Sequence, residues 1–314
     1  MLHGSGERDL PRVSIVIPTF NRAALLPQAV SSALAAGDDV EVIVVDDASD
    51  DDTPSVCASL PGIRYLRLDR NLGTPGARNV GVLESRAEFV TTLGDDDLRL
   101  SGSLEAQVRM LEESPQAAFC YGRVQVADPR YEFSTGEVVP LHTPTGDIFW
   151  ELLEHNFVPD LSVVARKARL VEAGLFNPEL IGVEDWDMWL RLAERWSVVA
   201  VAEPVAVYRR AHAASGQVCS DSIEIYRRMR RLQRKTLRRQ RARESAPAKR
   251  RRARSSLLDN AYEAMIYEAE QAFAEGEPKL ARAKLREAFR LRPLRAATGS
   301  GRLLLRRLSA EVSS

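Results

Sequence analysis

Four short runs of aliphatic and β-branched residues divide the first hundred positions: VSIVIP (13–18), VEVIVV (40–45), IRYLRL (63–68) and EFVTTL (88–93). Continuous apolar runs of this length suit strands buried on both faces, a condition met in a parallel sheet covered by helices. The segments between them carry the helical period. Over 22–36, Leu25, Leu26, Ala29, Val30, Ala33 and Leu34 recur at helical spacing. Thr53-Pro54 has the pattern of an N-cap followed by proline at the first helical position, and 75–85 forms a further predicted helix. Strand and helix alternating in this way predict an α/β fold, a Rossmann-like, mostly parallel central sheet flanked by helices.

In such sheets ligands bind outside the carboxyl ends of the strands. The first strand here ends in Pro18-Thr19-Phe20-Asn21, the second in Asp46-Asp47, and the fourth in Gly94-Asp95-Asp96-Asp97. Parallel strands would bring all three groups to one rim. Carboxylates gathered there repel one another unless they are protonated or neutralised by a cation. Oxygen-only ligands favour Mg²⁺ or Mn²⁺ with positions left for phosphate oxygens. Asp50, Asp51 and Asp52 run into a helix start, where carboxylates favour exposed N–H groups, and are read as caps.

Beyond residue 100 the pattern becomes α+β. A helix over 103–113 leads to the strand AAFCYG, a polar hairpin-like region near Ser134-Thr135-Gly136 and a helix over 147–154, followed by LSVVAR. EDWDMWLRLAERW then places Trp186, Trp189, Leu190, Ala193 and Trp196 on one helical face, and SVVAVAEPVAVYR is strand-like. After about residue 221 the chain is helical. Residues 262–291 resemble one helix-turn-helix unit with Gly276 and Pro278 at the turn. A lone unit cannot bury its own face, so the pair is expected to pack on the main domain.

Five motifs, IPTFNR, VDDASDDDT, NLGTPGARN, LGDDDL and VEDWDMWLRLA, occur in the order found in the family 2 glycosyltransferases of the GT-A fold, which the chain resembles over roughly 13–212. The resemblance implies a GT-A domain over 1–220, with a nucleotide-sugar half at 11–100 and an acceptor half at 101–220, followed by a helical, basic extension at 221–314. It implies that Pro18, Thr19, Phe20 and Asn21 border the nucleobase, with Asp46 or Asp47 accepting from the base or ribose. Gly73 and Arg78 fall in the donor pocket; the alternative for Arg78 is an exposed helix arginine. Asp95, Asp96 and Asp97 correspond to the DxD element that holds a divalent ion on the diphosphate. Gly94 stands where many members have aspartate, so either Asp95 with Asp97, or Asp96 itself, carries the metal. Asp185, beside Glu184, matches the catalytic base; the helix N-terminus would keep it ionised. The alternative is that both acids only cap that helix. His212 falls at a metal- or diphosphate-binding position. Acceptor contacts are sought at Trp150, Asn156, Asp160 and Trp186.

The implied reaction is inverting, metal-dependent transfer from a nucleotide-sugar, UDP-sugar favoured, to a saccharide, lipid-linked or small-molecule acceptor. A nucleotidyltransferase would share the acids but wants a glycine-rich, basic phosphate loop, and IPTFNRAALL is not one. A purely binding protein would rely on the basic stretch. Formal net charge is zero, yet between Arg227 and Arg254 the only acid is Glu244. Such a stretch is a solvated helix face or a contact for anionic lipid headgroups; without interleaved aromatic residues, nucleic acid is disfavoured. Cys57, Cys120 and Cys219 are far apart, and no apolar leader or spanning run is evident, so a cytoplasmic protein, peripheral to the inner membrane face at most, is expected. Oligomeric state has no sequence signal.

Overall fold

The computed structural model describes residues 10–127, 136–209 and 222–296. The chain divides into two compact units, Met1–Phe149 with Asn156–Ser220, and Trp150–His155 with Asp221–Ser314.

The first unit carries the sheet. Its strands are β1 (Val13–Thr19), β2 (Val40–Asp46), β3 (Ile63–Arg67), β4 (Phe89–Thr92), β5 (Leu98–Arg99), β6 (Ala117–Ala127), β7 (Val138–Val139), β8 (Val164–Arg166) and β9 (Ser197–Arg209). The order is β3-β2-β1-β4-β8-β6-β9-β5, with β7 paired to β6. The four strands expected from the N-terminal apolar runs are parallel neighbours. Direction becomes mixed at β8, which is antiparallel to both β4 and β6.

Helices α1 (Leu26–Leu34), α3 (Gly73–Glu84), α4 (Ser103–Glu112), α5 (Phe149–Glu154, in the second unit from Trp150 on) and α7 (Glu184–Ala193) follow the predicted pattern with local shifts, α2 (Thr53–Ser59) follows the predicted Thr-Pro start, and α6 (Lys167–Glu172) is additional. Helix α1 starts four residues late, because the N–H groups of Leu25 and Leu26 both turn back to the Arg22 carbonyl. Thr53 is the first residue of α2 rather than its cap, and Asp51 accepts from its N–H (3.0 Å) and hydroxyl. Trp196 lies past the end of α7, between the guanidiniums of Arg169 and Arg195.

One sheet face buries Ile15, Ile17, Val42 and Val44 against Leu26, Ala29, Val30 and Ala33 of α1 and Leu104, Val108 and Leu111 of α4. On the other face α3 lies so close to β1 that a Cβ at Gly81 would stand 2.2 Å from a Val16 methyl. Only glycine admits that approach.

The second unit contains α8 (Ser222–Thr236), α9 (Gln240–Glu244), α10 (Pro247–Ala274), α11 (Pro278–Leu291) and α12 (Pro293–Ala296). The expected turn is present, with Gly276 at φ +77°. Ala261, Met265, Ala269 and Ala272 of α10 pack on Ala281, Leu285, Ala288 and Leu291 of α11. Ile223 and Tyr226 of α8 join this cluster, so the cover that a lone helical pair lacks comes from within the unit. Among the described residues no helix is long and apolar enough to cross a membrane.

Candidate active site

The carboxyl ends of β1, β2 and β4 form one continuous rim. The Asp47 N–H donates to the Thr19 carbonyl (2.9 Å), and the Thr19 hydroxyl donates to Asp95 Oδ2 (2.8 Å). Pro18 is buried at the end of β1, while Phe20 projects at 42% exposure. Asn21 turns the chain out of β1 in the left-handed region (φ +55°), a conformation asparagine tolerates. Its N–H is held by Ser49 Oγ, and its Oδ1 takes the Asp50 N–H.

Asp46 and Asp47 separate into different roles. Asp46 is wholly buried and gives both oxygens to the fold, accepting from Ser49 N–H (2.8 Å) and the Tyr65 hydroxyl (2.6 Å). Asp47 accepts from Leu72 N–H (2.6 Å), fixing the turn that leads through Gly73 (φ +73°) into α3, and burial pushes its carboxyl up.

The triple aspartate follows β4. Arg22 Nη1 lies 3.1 Å from Asp95 Oδ1 and 2.6 Å from Asp96 Oδ2. Asp97 accepts from the Arg209 backbone N–H (2.9 Å). Burial, then the neighbouring charge of Asp96, pushes the Asp97 carboxyl well above the usual carboxylate range. Asp95 is pushed up to about 6 by burial, against the pull of Arg22. A Cβ at Gly94 would stand 2.8 Å from Asp96 Oδ1 and 2.9 Å from Asp97 Oδ2. Glycine at this position therefore lets the two carboxylates fold back over the backbone.

Across the rim the start of α7 presents Glu184 and Asp185. Arg78 is buried, which excludes an exposed helix arginine. Its guanidinium reaches Asp160 Oδ2 (2.6 Å) and Glu184 Oε1 (3.0 Å), and the other Glu184 oxygen takes the Gly182 N–H. Asp185 accepts a long bond from the Asn156 amide (3.2 Å) and takes the Trp186 backbone N–H. Burial, followed by the charges of Glu184 and Asp160, pushes Asp185 up to about 7. That reverses the expectation that the helix N-terminus keeps it ionised: desolvation and two carboxylates outweigh the partial charge. Val183, at the N-cap of α7, forms no side-chain cap.

Buried supports hold this geometry. Arg99, immediately after the acids on β5, donates to the Leu161 carbonyl, and Gln107, bonded to Arg99, donates to the Ser162 carbonyl. Together they anchor the single turn Asp160–Ser162. Burial without a carboxylate partner lowers the Arg99 guanidinium to about 10. Trp186 and Trp189 are buried behind α7, with Trp189 against Phe119 (5.2 Å between ring centroids) and Phe176 (6.2 Å). Asn79 latches the Phe176 backbone through both ends of its amide.

The four residues sought as acceptor contacts scatter. Trp186 is entirely buried in the core and presents no surface to an acceptor. Trp150 belongs to the second unit, facing Lys249. Asn156 and Asp160 surround Asp185 and Arg78. His212 lies outside the described residues. Arg22 and Arg99 were not distinguished by the sequence; an arginine beside an acidic rim looks like any surface arginine until the fold buries it.

Residues 14–169 match the family model "Glycosyl transferase family 2". The chain belongs to that family. A β-1,3-glucosyltransferase of Campylobacter jejuni, named for GalNAc(5)-diNAcBac-PP-undecaprenol, is 40% identical over 110 residues, 33% of this chain and 36% of the relative. A succinoglycan biosynthesis protein of Rhizobium meliloti is 40% identical over 111 residues, 34% and 31% of the two chains. The match thus spans about a third of each of these relatives. An uncharacterised Mycobacterium tuberculosis protein is 29% identical over 221 residues, 63% of this chain and 67% of its own. Among solved structures, residues 1–349 of S. aureus TarS with UDP-GlcNAc align at TM-score 0.60, 18% identity, covering 89% of this chain and 81% of that one. A Pyrobaculum calidifontis mannosyltransferase with GDP-Man and Mn²⁺ aligns at 0.58, 19% identity, covering 97% and 81%. These neighbours share the GT-A fold.

Among the described residues no group of three or more His, Cys, Asp or Glu side chains is arranged to hold a metal. The donor types nonetheless suit a hard divalent cation, because Asp95 Oδ1 and Asp96 Oδ2 already converge on one cationic atom, Arg22 Nη1.

Proposed function

We propose that this glycosyltransferase transfers a sugar from a nucleoside diphosphate-sugar, a UDP-sugar in preference, to an acceptor hydroxyl with inversion, using Asp185 as general base. The observation that carries this reading is the contrast between neighbouring carboxylates. Glu184 is neutralised by Arg78 and a backbone N–H, while Asp185 keeps its proton affinity near neutrality. A base whose pKa lies close to working pH both exists in the ionised form and takes a proton effectively. Asn156 donates to its carboxylate (3.2 Å). An acceptor hydroxyl deprotonated there attacks the anomeric carbon in a single displacement, which inverts configuration.

Asp47 and the exposed face of Phe20 are the donor contacts this reading favours over the saturated Asp46. Asp95, Asp96 and Asp97 would hold Mg²⁺ or Mn²⁺, which supplies Lewis-acid charge neutralisation to a departing diphosphate. The solved neighbours carrying UDP-GlcNAc, and GDP-Man with Mn²⁺, support this choice of ligands. The test is a panel of nucleotide-sugars, read as Mn²⁺-dependent thermal stabilisation and as slow donor hydrolysis. One nucleotide-sugar should stand out in both; stabilisation by none of the panel would remove the reading.

The pH profile follows from Asp185. Its carboxyl is protonated below about pH 7 and cannot then act as base. A plot of log kcat/KM should therefore rise with unit slope up to about pH 7 and flatten above it. Glu184 is the largest charge holding that pKa up, so Glu184→Gln should move the bend to lower pH. A flat profile from pH 5.5 to 8 would exclude a titrating base.

The acceptor is read as lipid-linked, met at an anionic membrane surface. The named Campylobacter relative supports this, as does the second unit's chemistry. There the Gln233 amide donates to carbonyls of Leu153 and Ala253, bringing the basic stretches of α8 and α10 side by side. Burial, and to a lesser extent the charge of Arg234, lower the Arg230 guanidinium. Each basic residue near an anionic bilayer contributes about 1 kcal/mol of attraction. The full chain should sediment with phosphatidylglycerol-containing vesicles in dilute buffer and be released by about 1 M salt, where screening reaches about 3 Å. Equal sedimentation with neutral vesicles would count against it.

A further inference from the structure

Arg22 occupies the position on the rim that most constrains the acids. Its carbonyl receives the N–H groups that open α1, and the left-handed Asn21 before it directs the side chain inward. A single nitrogen, Nη1, then meets Asp95 Oδ1 and Asp96 Oδ2, with the Arg22 side chain 20% exposed and the aspartates 7% and 12%. The remaining Asp95 oxygen is taken by the Thr19 hydroxyl. Burial alone would lower the Arg22 guanidinium, but the two aspartates raise it, so it stays charged.

A divalent ion chelated by these two oxygens at about 2.0–2.2 Å would stand between them, where Arg22 Nη1 now lies. Two cations cannot occupy that place. We propose that Arg22 is the resident counter-cation of the Asp95–Asp96 pair and competes with a divalent ion for Asp95 Oδ1 and Asp96 Oδ2. The proposal rests on the metal-binding role given to these aspartates above. Between ions the arginine keeps two crowded carboxylates neutralised. An entering ion displaces it, and the observed affinity is the intrinsic affinity reduced by the fraction of molecules in which Arg22 has let go.

The test is Mn²⁺ titration of the full chain without nucleotide, followed by calorimetry or by the electron paramagnetic resonance of free Mn²⁺. Arg22→Gln keeps a polar side chain but removes the competing charge, and should bind Mn²⁺ at least tenfold more tightly than the parent. Equal or weaker binding overturns the proposal, as does failure of both proteins to bind. Should the variant not fold, the parent alone decides through hydrogen exchange over 20–26. Mn²⁺ alone should speed exchange there, because the turn at Arg22 loses its side-chain anchor; unchanged or slower exchange overturns the competition. Mn²⁺-dependent stabilisation of the parent by a nucleotide-sugar tests the transferase reading separately, so the two can fail independently.

Discussion

Asp185→Asn is expected to reduce transfer by about a hundred- to ten-thousand-fold, the range typical of a positioned general base. Donor affinity should change by less than about twofold, since the substitution removes proton-accepting power and leaves the strand-end contacts intact. Asparagine is nearly isosteric with aspartate and remains within reach of Asn156. It also withdraws one negative charge from a rim where Glu184 and Asp160 already repel it. The variant should therefore be as stable as the parent or more so at pH 8, and any lost turnover cannot be attributed to unfolding. Residual activity should lose the bend near pH 7. If donor affinity and turnover fall together, Asp185 belongs to the binding site and another group takes the proton.

The roles of Glu184 and Asp185 show what a linear sequence conceals. VEDW puts two acids at the start of a predicted helix, and either could serve as base or cap. Their separation comes from Arg78, 106 positions away from Glu184, whose guanidinium engages one and leaves the other. No local pattern encodes that pairing. The parallel strands were legible because burial on two faces forces an uninterrupted apolar run, and β1, β2 and β4 end at one rim, the latter two at the acids, as the runs predicted. The antiparallel entry of β8 was not, because a three-residue strand carries too little pattern. Trp186 looked available to a sugar for a related reason: an aromatic residue beside a catalytic acid is equally suited to stacking and to core packing. The fold spends it in the core, where it backs the helix that aims Asp185.

Arg78→Met should produce the largest loss of stability, about 3–5 kcal/mol, the cost of leaving buried charge without its partner. Arg78 reaches Asp160 at 2.6 Å and Glu184 at 3.0 Å, lies over the Phe176 ring, and feels the charges of Asp185 and Asp97 as well. Methionine replaces much of the aliphatic packing but none of the charge. For a chain of this size that loss lowers Tm by roughly 10 °C. The pH dependence separates charge from packing. Without Arg78, whose charge pulls against burial at Asp185, the Asp185 carboxyl is pushed further above its unfolded value. A carboxyl raised in the folded state contributes stability at low pH that is lost as pH rises through its folded value. The deficit of the variant should therefore be largest at pH 8 and shrink toward pH 5.5, as protons take over the neutralising role of the guanidinium. Paired urea unfolding curves at the two pH values measure it. An equal deficit at both would mean that Arg78 acts by filling space, and that the acids at the start of α7 do not depend on it for their charge balance.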